Sequence, residues 1–374
     1  MNFGFTEEQD LLRSEARKLL DEESPLERVR EVIETPDGFS RELFGRIAEL
    51  GWTGLTIPEA HGGAGLGWVD AVVLFEETGR SLFPAPLVST TLATAALLEA
   101  GDASQRERWL PGLADGSRIG TLALLEETDL CSPNGVQLAA AREDGALRVS
   151  GVKRFVHDVG AADLFVVALR LEGESVLAVL EASDTGVSSV DHPGIDRTRR
   201  MGDLQLDGVE IEADRLLRSS DPQATLRGLF DRGAIATTAE MIGAGEAALA
   251  LTVQYAKDRI QFGEPIGRFQ GVKHPLAEMY VDVESYKSLL YYAAWALEGS
   301  PDEVPRAASM AKAYASDALA RIGVDGVGLH GAVGYTAEYD IQLYLKRSKW
   351  ARQAFGDADW HYDRIAQLVS GEAA

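Results

Sequence analysis

Cysteine and basic residues are both scarce in this chain of 374 residues. Its only cysteine is Cys131, which excludes a framework of intrachain disulfides and favours a reducing compartment. The 36 lysines and arginines stand against 59 acidic residues, so the net charge is −23. Nucleic acids and anionic membranes repel so acidic a chain. The composition therefore predicts a protein that binds neither of them.

Signals for export, membrane insertion and metal binding are also lacking. The N-terminal segment MNFGFTEEQD is acidic and has none of the basic and apolar regions of a secretory signal. We find no apolar run of the roughly 20 residues that a membrane-spanning helix needs. The six histidines show no spacing typical of metal ligands, so no metal site is predicted. We therefore expect a cytoplasmic protein.

Helical periodicity dominates both ends of the chain, and β-rich runs occupy its middle. The chain is long for one core, and its 45% apolar and 25% charged residues are ordinary for a soluble globular protein. The pattern predicts a mainly α protein with a small antiparallel β-domain. We place a helical domain at 1–116, the β-domain at 117–218 and a C-terminal four-helix bundle at 219–374.

Local signals locate several elements within these domains. Thr6 and Gln9 predict a capping box at the start of the first helix. Five β-rich runs lie between Ile119 and Ile211, with turn signals at Glu143-Asp144-Gly145, Glu172-Gly173 and Asp207-Gly208. The predicted bundle helices span 223–258, 269–297, 304–327 and 338–370.

The segment from Tyr255 to Met279 joins the first two bundle helices and carries the strongest chemical signal. Its glycines and proline stop a helix from continuing through 261–267. This corner gathers a cation, two amides and an aromatic ring: Arg259, Gln261, Gln270 and Phe262. Such a group suits the pyrophosphate and adenosine of a nucleotide cofactor, because guanidinium pairs with phosphate in a planar fork. Spacing alone favours the other interpretation, a capped helical corner with Arg259 paired to a nearby carboxylate.

A family resemblance covers essentially the whole chain. The domain order, with RxQFGxPIGxFQxVKHxLAxM at the corner, resembles the acyl-CoA dehydrogenase family. Three further segments are similar to the family: LGWTGLTIPEAHGGAGL at 50–66, VSGVKRFV at 149–156 and LHGAVGYTAEYDIQLYLKRSKW at 329–350. The corner motif is long and specific, so the resemblance favours the nucleotide interpretation.

The resemblance implies a flavin enzyme of two or four subunits. A carboxylate would remove the α-proton of an acyl-CoA, and FAD bound between subunits would take the β-hydride. Implied partners are acyl-CoA and an electron-transfer flavoprotein as electron acceptor. The residues that match the FAD motif, and would reach a neighbour's FAD, are Arg259, Gln261, Phe262 and Gln270. His330 and Gly331 match part of a second cofactor motif.

The family's catalytic glutamate is missing from both of its usual positions. Gly356 stands at the C-terminal position, and Gly233 stands at the alternative one in the first bundle helix. Neither glycine can abstract a proton, so no catalytic residue is predicted. Glu240 is a weak candidate, because seven helical residues put it about 10 Å from Gly233. Its apolar neighbours favour a buried structural carboxylate, and Asp357 is better explained by a turn or a first helical turn.

The residues that would hold this chain's own flavin ring are altered as well. Leu125-Glu126-Glu127 stands where the family has Thr-Glu-Pro, and Phe155-Val156-His157 where it has Trp-Ile-Thr. In the second cofactor motif, Gly328 replaces an amide and Ala332 replaces a glycine. The groups that would serve a neighbour's FAD are thus present, while those that would hold its own are not.

This asymmetry indicates a non-catalytic subunit of a heteromeric acyl-CoA dehydrogenase, a heterodimer or an α2β2 heterotetramer. It resembles the base-lacking subunits of bacterial enzymes that degrade steroid side chains. Two alternatives stay open: a self-sufficient homotetramer with a displaced base, and a dehydrogenase-fold scaffold or binding protein without turnover. Relatives that bind DNA need a basic surface, which this acidic chain lacks.

Overall fold

Helices make up most of the structure, a computed structural model that describes residues 5–128, 130–143 and 146–371. They are α1 (Glu7–Glu23), α2 (Leu26–Val32), α3 (Arg41–Glu49), α4 (Trp68–Arg80), α5 (Leu87–Ala100), α6 (Ala103–Ala114), α7 (Pro222–Asp258), α8 (Gln270–Gly299), α9 (Val304–His330), α10 (Ile341–Gln353) and α11 (Ala358–Ser370). The capping box is confirmed, since Thr6 Oγ1 accepts from Gln9 N at 3.2 Å and Gln9 Oε1 accepts from Thr6 N at 3.1 Å.

The β-strands lie in the middle of the chain, apart from one short hairpin. They are β1 (Gly120–Ala123), β2 (Ala140–Glu143), β3 (Ala146–His157), β4 (Leu164–Leu171), β5 (Glu174–Glu181), β6 (Val187–His192), β7 (Met201–Ile211), β8 (Leu216–Leu217), β9 (Ile260–Gln261) and β10 (Glu264–Pro265). Two four-stranded sheets have the orders β1-β4-β5-β8 and β2-β3-β7-β6. A mainly α protein with a small β-domain is therefore confirmed.

Pairing within the sheets departs from the prediction in two ways. β1 and β4 are parallel, because the chain between them forms β2 and β3 of the other sheet. Glu172 (φ 53°) and Gly173 (φ 90°) do form a two-residue hairpin turn between β4 and β5. Asp207-Gly208 is instead a bulge inside β7, and Asp144-Gly145 lies outside the described residues.

The last predicted bundle helix, 338–370, is wrong as a single element. The structure has α10 and α11, separated by residues 354–357. Phe355 (φ 56°) and Gly356 (φ 97°) lie in the left-handed region, where a right-handed helix cannot continue. Short elements were missed too: α2, β2, β6 and β8 carry too few residues for a clear periodic signal.

Contacts divide the chain into two compact units, neither continuous in sequence. One contains Met1–Glu31, Trp68–Phe83 and Gly233–Ala374, and holds most of α7 with α8 to α11. The other contains Val32–Gly67 and Pro84–Arg232, and holds both four-stranded sheets. The boundaries at 116/117 and 218/219 stay predictions.

Helix α7 is apolar for much of its length. By length and composition it could cross a membrane, which contradicts the expectation that no apolar segment is long enough. However, 72% of the most apolar 18-residue stretch of α7 is buried inside the protein. Packing in the core therefore accounts for its apolar character.

Candidate functional site

The corner between α7 and α8 is a tight hairpin. β9 and β10 pair through Gln261 and Glu264, and the turn residues Phe262 and Gly263 have φ of 53° and 78°. Positive φ at both turn positions matches the twist of a two-residue β-hairpin. The turn holds the Phe262 side chain 93% exposed. An aromatic ring therefore projects into solvent, with Phe269 edge-on at 6.1 Å.

Arg259 lies at the base of this hairpin with its backbone fixed on both sides. Its N–H donates to Tyr255 O, and its carbonyl accepts from Ile266 N, both at 2.8 Å. The side chain is exposed, and no carboxylate in the described residues lies within ion-pair distance of it. Glu264 pairs instead with Arg268 at 2.5 Å. The structural alternative, with Arg259 neutralised inside its own chain, is thus not found.

The two amide side chains, Gln261 and Gln270, are also exposed at this corner. Gln261 is exposed, and its Nε2 donates to Ile260 O at 2.8 Å. Gln270 is also exposed and is the first residue of α8. The structure therefore brings together a cation, two amides and an aromatic ring at one solvent-facing corner.

His330 contacts Tyr255 of the corner and is buried, whereas the next residue, Gly331, is exposed. The His330 ring is 2% exposed, between Tyr255 at 4.4 Å and Tyr339 at 5.1 Å. Its Nδ1 donates to Gly326 O at 2.7 Å, its Nε2 is buried without a described partner, and burial lowers its pKa. Gly331 ends α9 with φ 64° and is exposed. Only the Gly331 backbone, and not the His330 ring, is accessible from outside.

Gly233, the first of the two predicted base positions, lies against an aromatic ring. Gly233 is buried within α7, and a Cβ placed on it would lie 2.3 Å from two ring carbons of Phe355. Real Cβ atoms essentially never approach so closely. A glutamate side chain at Gly233 would therefore have to displace the ring. Sequence reasoning found the glycine but missed the residue that fills its place.

The second base position, Gly356, is closed for two reasons. Its φ of 97° is one that side-chain-bearing residues rarely adopt. A Cβ there would also lie 2.7 Å from Trp360 Cε3 and 3.0 Å from His361 Nε2. The next residue, Asp357, caps α11 by accepting from Trp360 N at 2.8 Å. A carboxylate side chain at either predicted base position would have to displace these ring side chains.

Buried polar groups hold the loop that carries Phe355 and Gly356. Lys312 is fully buried, and its ammonium donates to Gly356 O at 2.9 Å and Arg352 O at 3.2 Å. His361 Nε2 donates to Phe355 O at 3.0 Å, and burial keeps its pKa well below the usual value. Backbone carbonyls on both residues are thus anchored, which fixes the Phe355 ring against Gly233.

Glu240 is a buried structural carboxylate, as its apolar neighbours predicted. It is 1% exposed and accepts from Thr78 Oγ1 at 3.4 Å. Its backbone packs so closely on α4 that a Cβ on Gly79 would lie 2.1 Å from Glu240 O. A group enclosed in this way cannot reach a substrate without a large rearrangement.

Two altered segments lie in the unit that contains the sheets. Glu126 Oε1 accepts from Lys153 Nζ at 2.6 Å and from the backbone N–H groups of Gln137 and Leu138. Phe155 sits at a bulge of β3 with φ 52°. Burial, with the charge of Arg199 adding to it, lowers the pKa of His157 to about 4. The Glu126 carboxylate is therefore engaged within the protein itself.

Models of known protein families match two stretches of this chain. The family model for the acyl-CoA dehydrogenase N-terminal domain matches residues 6–117, and that for the C-terminal domain matches 224–369. The chain belongs to the acyl-CoA dehydrogenase family. It is an oxidoreductase of that family, whose members are flavoproteins.

One relative in the acyl-CoA dehydrogenase family is "Acyl-CoA dehydrogenase IpdE2" of Mycolicibacterium smegmatis. It is 34% identical over 352 residues, which are 94% of this chain and 95% of that protein. A protein of the same name from Mycobacterium tuberculosis is 33% identical over 348 residues, 93% of this chain and 92% of that protein. Similarity therefore extends over nearly the full length of both chains.

Solved structures of the family show the same fold. A variant of the Tcur3481-Tcur3483 steroid ACAD superposes with a TM-score of 0.89 at 32% identity, covering 98% of each chain. The ChsE4-ChsE5 complex from Mycobacterium tuberculosis gives a TM-score of 0.92 at 28% identity, covering all of both chains. Both are named as pairs of proteins.

The described residues contain no group of three or more His, Cys, Asp or Glu that could hold a metal ion.

Proposed function

We propose that this chain is the non-catalytic subunit of a heteromeric, FAD-dependent acyl-CoA dehydrogenase, in which it helps to bind the partner's FAD. The observation that carries the proposal is the Phe355 ring at Gly233. A chain whose base positions are filled by an aromatic ring and a left-handed glycine cannot take the α-proton of an acyl-CoA. The remaining candidates, Glu240 and Asp357, are engaged within the fold.

The corner suits part of an FAD molecule from another subunit. Arg259 offers an unpaired guanidinium for a phosphate, Gln261 and Gln270 offer amides, and Phe262 offers an exposed ring face. When bound, FAD accepts the hydride that leaves the acyl-CoA. In this proposal the chain's own residues bind and orient the cofactor's phosphates and adenosine, and the partner provides the base.

Features of the β-domain argue against a flavin ring held by this chain. Leu125 has no hydroxyl to donate where the family has threonine, and His157 is a half-buried ring where the family again has threonine. The Glu126 carboxylate is committed to Lys153 and to two backbone N–H groups. These substitutions support a role limited to the partner's FAD.

Relatives suggest the substrate class of the complex. Two similar structures are named as protein pairs, and one of them is a steroid ACAD. On this basis we propose that the complex acts on a CoA thioester derived from a steroid. The family resemblance favours an electron-transfer flavoprotein as electron acceptor, and the single cysteine favours a cytoplasmic location. The assembly would be a heterodimer or an α2β2 heterotetramer.

Flavin content tests the proposal. The chain should be expressed alone and together with a family member that has glutamate at a base position. We expect little FAD and no dehydrogenation from the chain alone, and a yellow, active heteromer from the pair. A yellow and active homotetramer of this chain would overturn the proposal.

A matched pair of arginine variants tests the corner itself. Arg259→Ala should weaken FAD binding by the heteromer about tenfold or more, because a phosphate loses a charge-assisted hydrogen bond. Arg268→Ala is the control, since Arg268 lies on the same corner but is paired with Glu264. Equal FAD content in both variants would show that the corner has only a structural role.

A further inference from the structure

A cavity of about 360 Å³ lies within the unit that holds the two four-stranded sheets. Its wall comes from the turn between α5 and α6 and from residues 213–220, which surround β8. Gln105 joins these two segments, because its Nε2 donates to Asp214 O at 2.8 Å and to Leu216 O at 3.0 Å. The volume lies in the range of about 300–1,000 Å³ that is usual for sites of small organic ligands.

The three carboxylates in the cavity wall are each compensated by a group of the described chain. Glu99 pairs with Arg232 at 2.9 Å. Asp214 pairs with Arg108 at 3.2 Å. Asp102 caps α6, where its Oδ1 accepts from a backbone N–H at 2.9 Å and the end of the helix favours a negative charge. The acidic groups therefore leave little free negative charge in the cavity.

The two arginines in the same wall have no carboxylate partner among the described residues. Arg218 is exposed, and its guanidinium makes no described ion pair or hydrogen bond. Arg106 donates from Nη2 to Leu98 O at 2.5 Å, but its Nε is buried without a described hydrogen-bond partner. A buried N–H that stays unpaired costs free energy, which a bound acceptor would recover. The uncompensated charge of the cavity wall is therefore positive.

We propose that this cavity binds a small hydroxylated molecule that carries a phosphate group, such as a sugar phosphate. Arg106 and Arg218 pair with the phosphate oxygens, because guanidinium and phosphate form parallel charge-assisted hydrogen bonds. The exposed hydroxyl of Ser220, in the same wall, is a donor for a further oxygen. Asp102 and Asp214 each retain one carboxylate oxygen that accepts no described hydrogen bond, and these oxygens suit the hydroxyl groups of the ligand.

Charge and size favour this ligand over simpler ones. A free amino acid also carries an anionic group, but its ammonium would need an uncompensated carboxylate, and each acid in the wall already has a partner. Inorganic phosphate is far smaller than the cavity and has no organic part to fill it. None of the lining residues belongs to the corner or to the base positions, so this inference is independent of the proposed function.

Calorimetric titration of the full chain tests the ligand class. The probes are glycerol 3-phosphate, ribose 5-phosphate and glucose 6-phosphate, and we expect at least one to bind with a dissociation constant of about 1 mM or lower. Ribose, inorganic phosphate and glycine are the controls, and each should bind at least about tenfold more weakly. If no phosphate probe binds, or if glycine binds as tightly as the best of them, the inference is wrong.

A matched pair of arginine variants tests the site. Arg218→Ala should raise the dissociation constant of the bound probe about tenfold or more, because the phosphate loses a charge-assisted hydrogen bond. The fold does not depend on this exposed side chain, and circular dichroism checks it. Arg148→Ala is the control, since Arg148 is also exposed but does not line the cavity. Equal dissociation constants for the two variants would overturn the inference.

Arg259→Ala separates the cavity from the corner between α7 and α8. Arg259 is also exposed and unpaired among the described residues, so a probe phosphate might be expected to bind there instead. We expect Arg259→Ala to leave the titration with the probe unchanged. Loss of probe binding in this variant would place the phosphate at the corner, which would overturn the inference about the cavity while the proposed function stands.

Discussion

Gly233→Ala tests whether Phe355 really fills the first base position. The substitution adds one methyl group in the middle of α7. In the structure this methyl group would lie 2.3 Å from the Phe355 ring. The ring cannot move freely, because the Lys312 ammonium and the His361 ring hold the carbonyls of Gly356 and Phe355.

Two opposing contributions set the size of the effect. Alanine is favoured over glycine inside a helix by about 1 kcal/mol. Overpacking a filled core site costs about 1–3 kcal/mol. The clash should win, so we expect Gly233→Ala to lower the free energy of unfolding by about 1 kcal/mol.

A second glycine in a bundle helix provides the matched control. Gly328 on α9 is exposed, and a Cβ there meets no described atom within 4 Å. Only helix propensity acts at this position, so Gly328→Ala should raise the free energy of unfolding by about 0.5–1 kcal/mol. Urea unfolding of the isolated chain measures both variants, which should move the midpoint in opposite directions.

Phe355→Ala removes the ring and should change the outcome at Gly233. In that background Gly233→Ala should be neutral or stabilising, with a coupling of about 1–2 kcal/mol between the two sites. Stabilisation by Gly233→Ala in the wild-type background would refute the placement of the ring, and so would the absence of coupling.

Three further variants test other parts of the account. Phe262→Ala should leave the stability of the isolated chain within about 0.5 kcal/mol, because the ring is 93% exposed, but should lower FAD retention in the heteromer. His157 has a pKa of about 4 when folded, below its unfolded value, so its contribution is present above about pH 6.5 and is lost as pH falls. The wild type should therefore lose about 2 kcal/mol from this group between pH 7 and pH 5, and His157→Gln should show that much less acid sensitivity in urea unfolding. Lys312→Met should lower unfolding free energy by about 1–3 kcal/mol, because the Gly356 and Arg352 carbonyls lose a buried donor, and an unchanged urea midpoint would contradict the anchoring of the loop.

Features set by a few neighbouring residues were predictable from the sequence. Thr6 and Gln9 marked a helix start, and Glu172-Gly173 marked a hairpin turn. The break between α7 and α8 followed from glycine and proline in 261–267. In each case the physical cause is local, since caps and turns depend on side chains three or four residues apart.

Features that depend on distant residues were not predictable in this way. The Phe355 ring meets Gly233 only because the left-handed pair Phe355-Gly356 interrupts the last predicted helix. The sequence alone suggests that Lys312 is an ordinary exposed lysine on a helix. Its neighbours Ala311 and Ala313 were a signal that this position is buried. The parallel pairing of β1 and β4 likewise depends on the path of the chain between them.

The central claim is that this chain completes a partner's FAD site and has no base of its own. The most direct measurement is the absorption spectrum and native mass of the chain, purified alone and after co-expression with a base-bearing subunit. The account predicts a nearly colourless, inactive chain alone, and about one FAD per heterodimer in an active complex. A chain that purifies alone as a yellow, active homotetramer would contradict it.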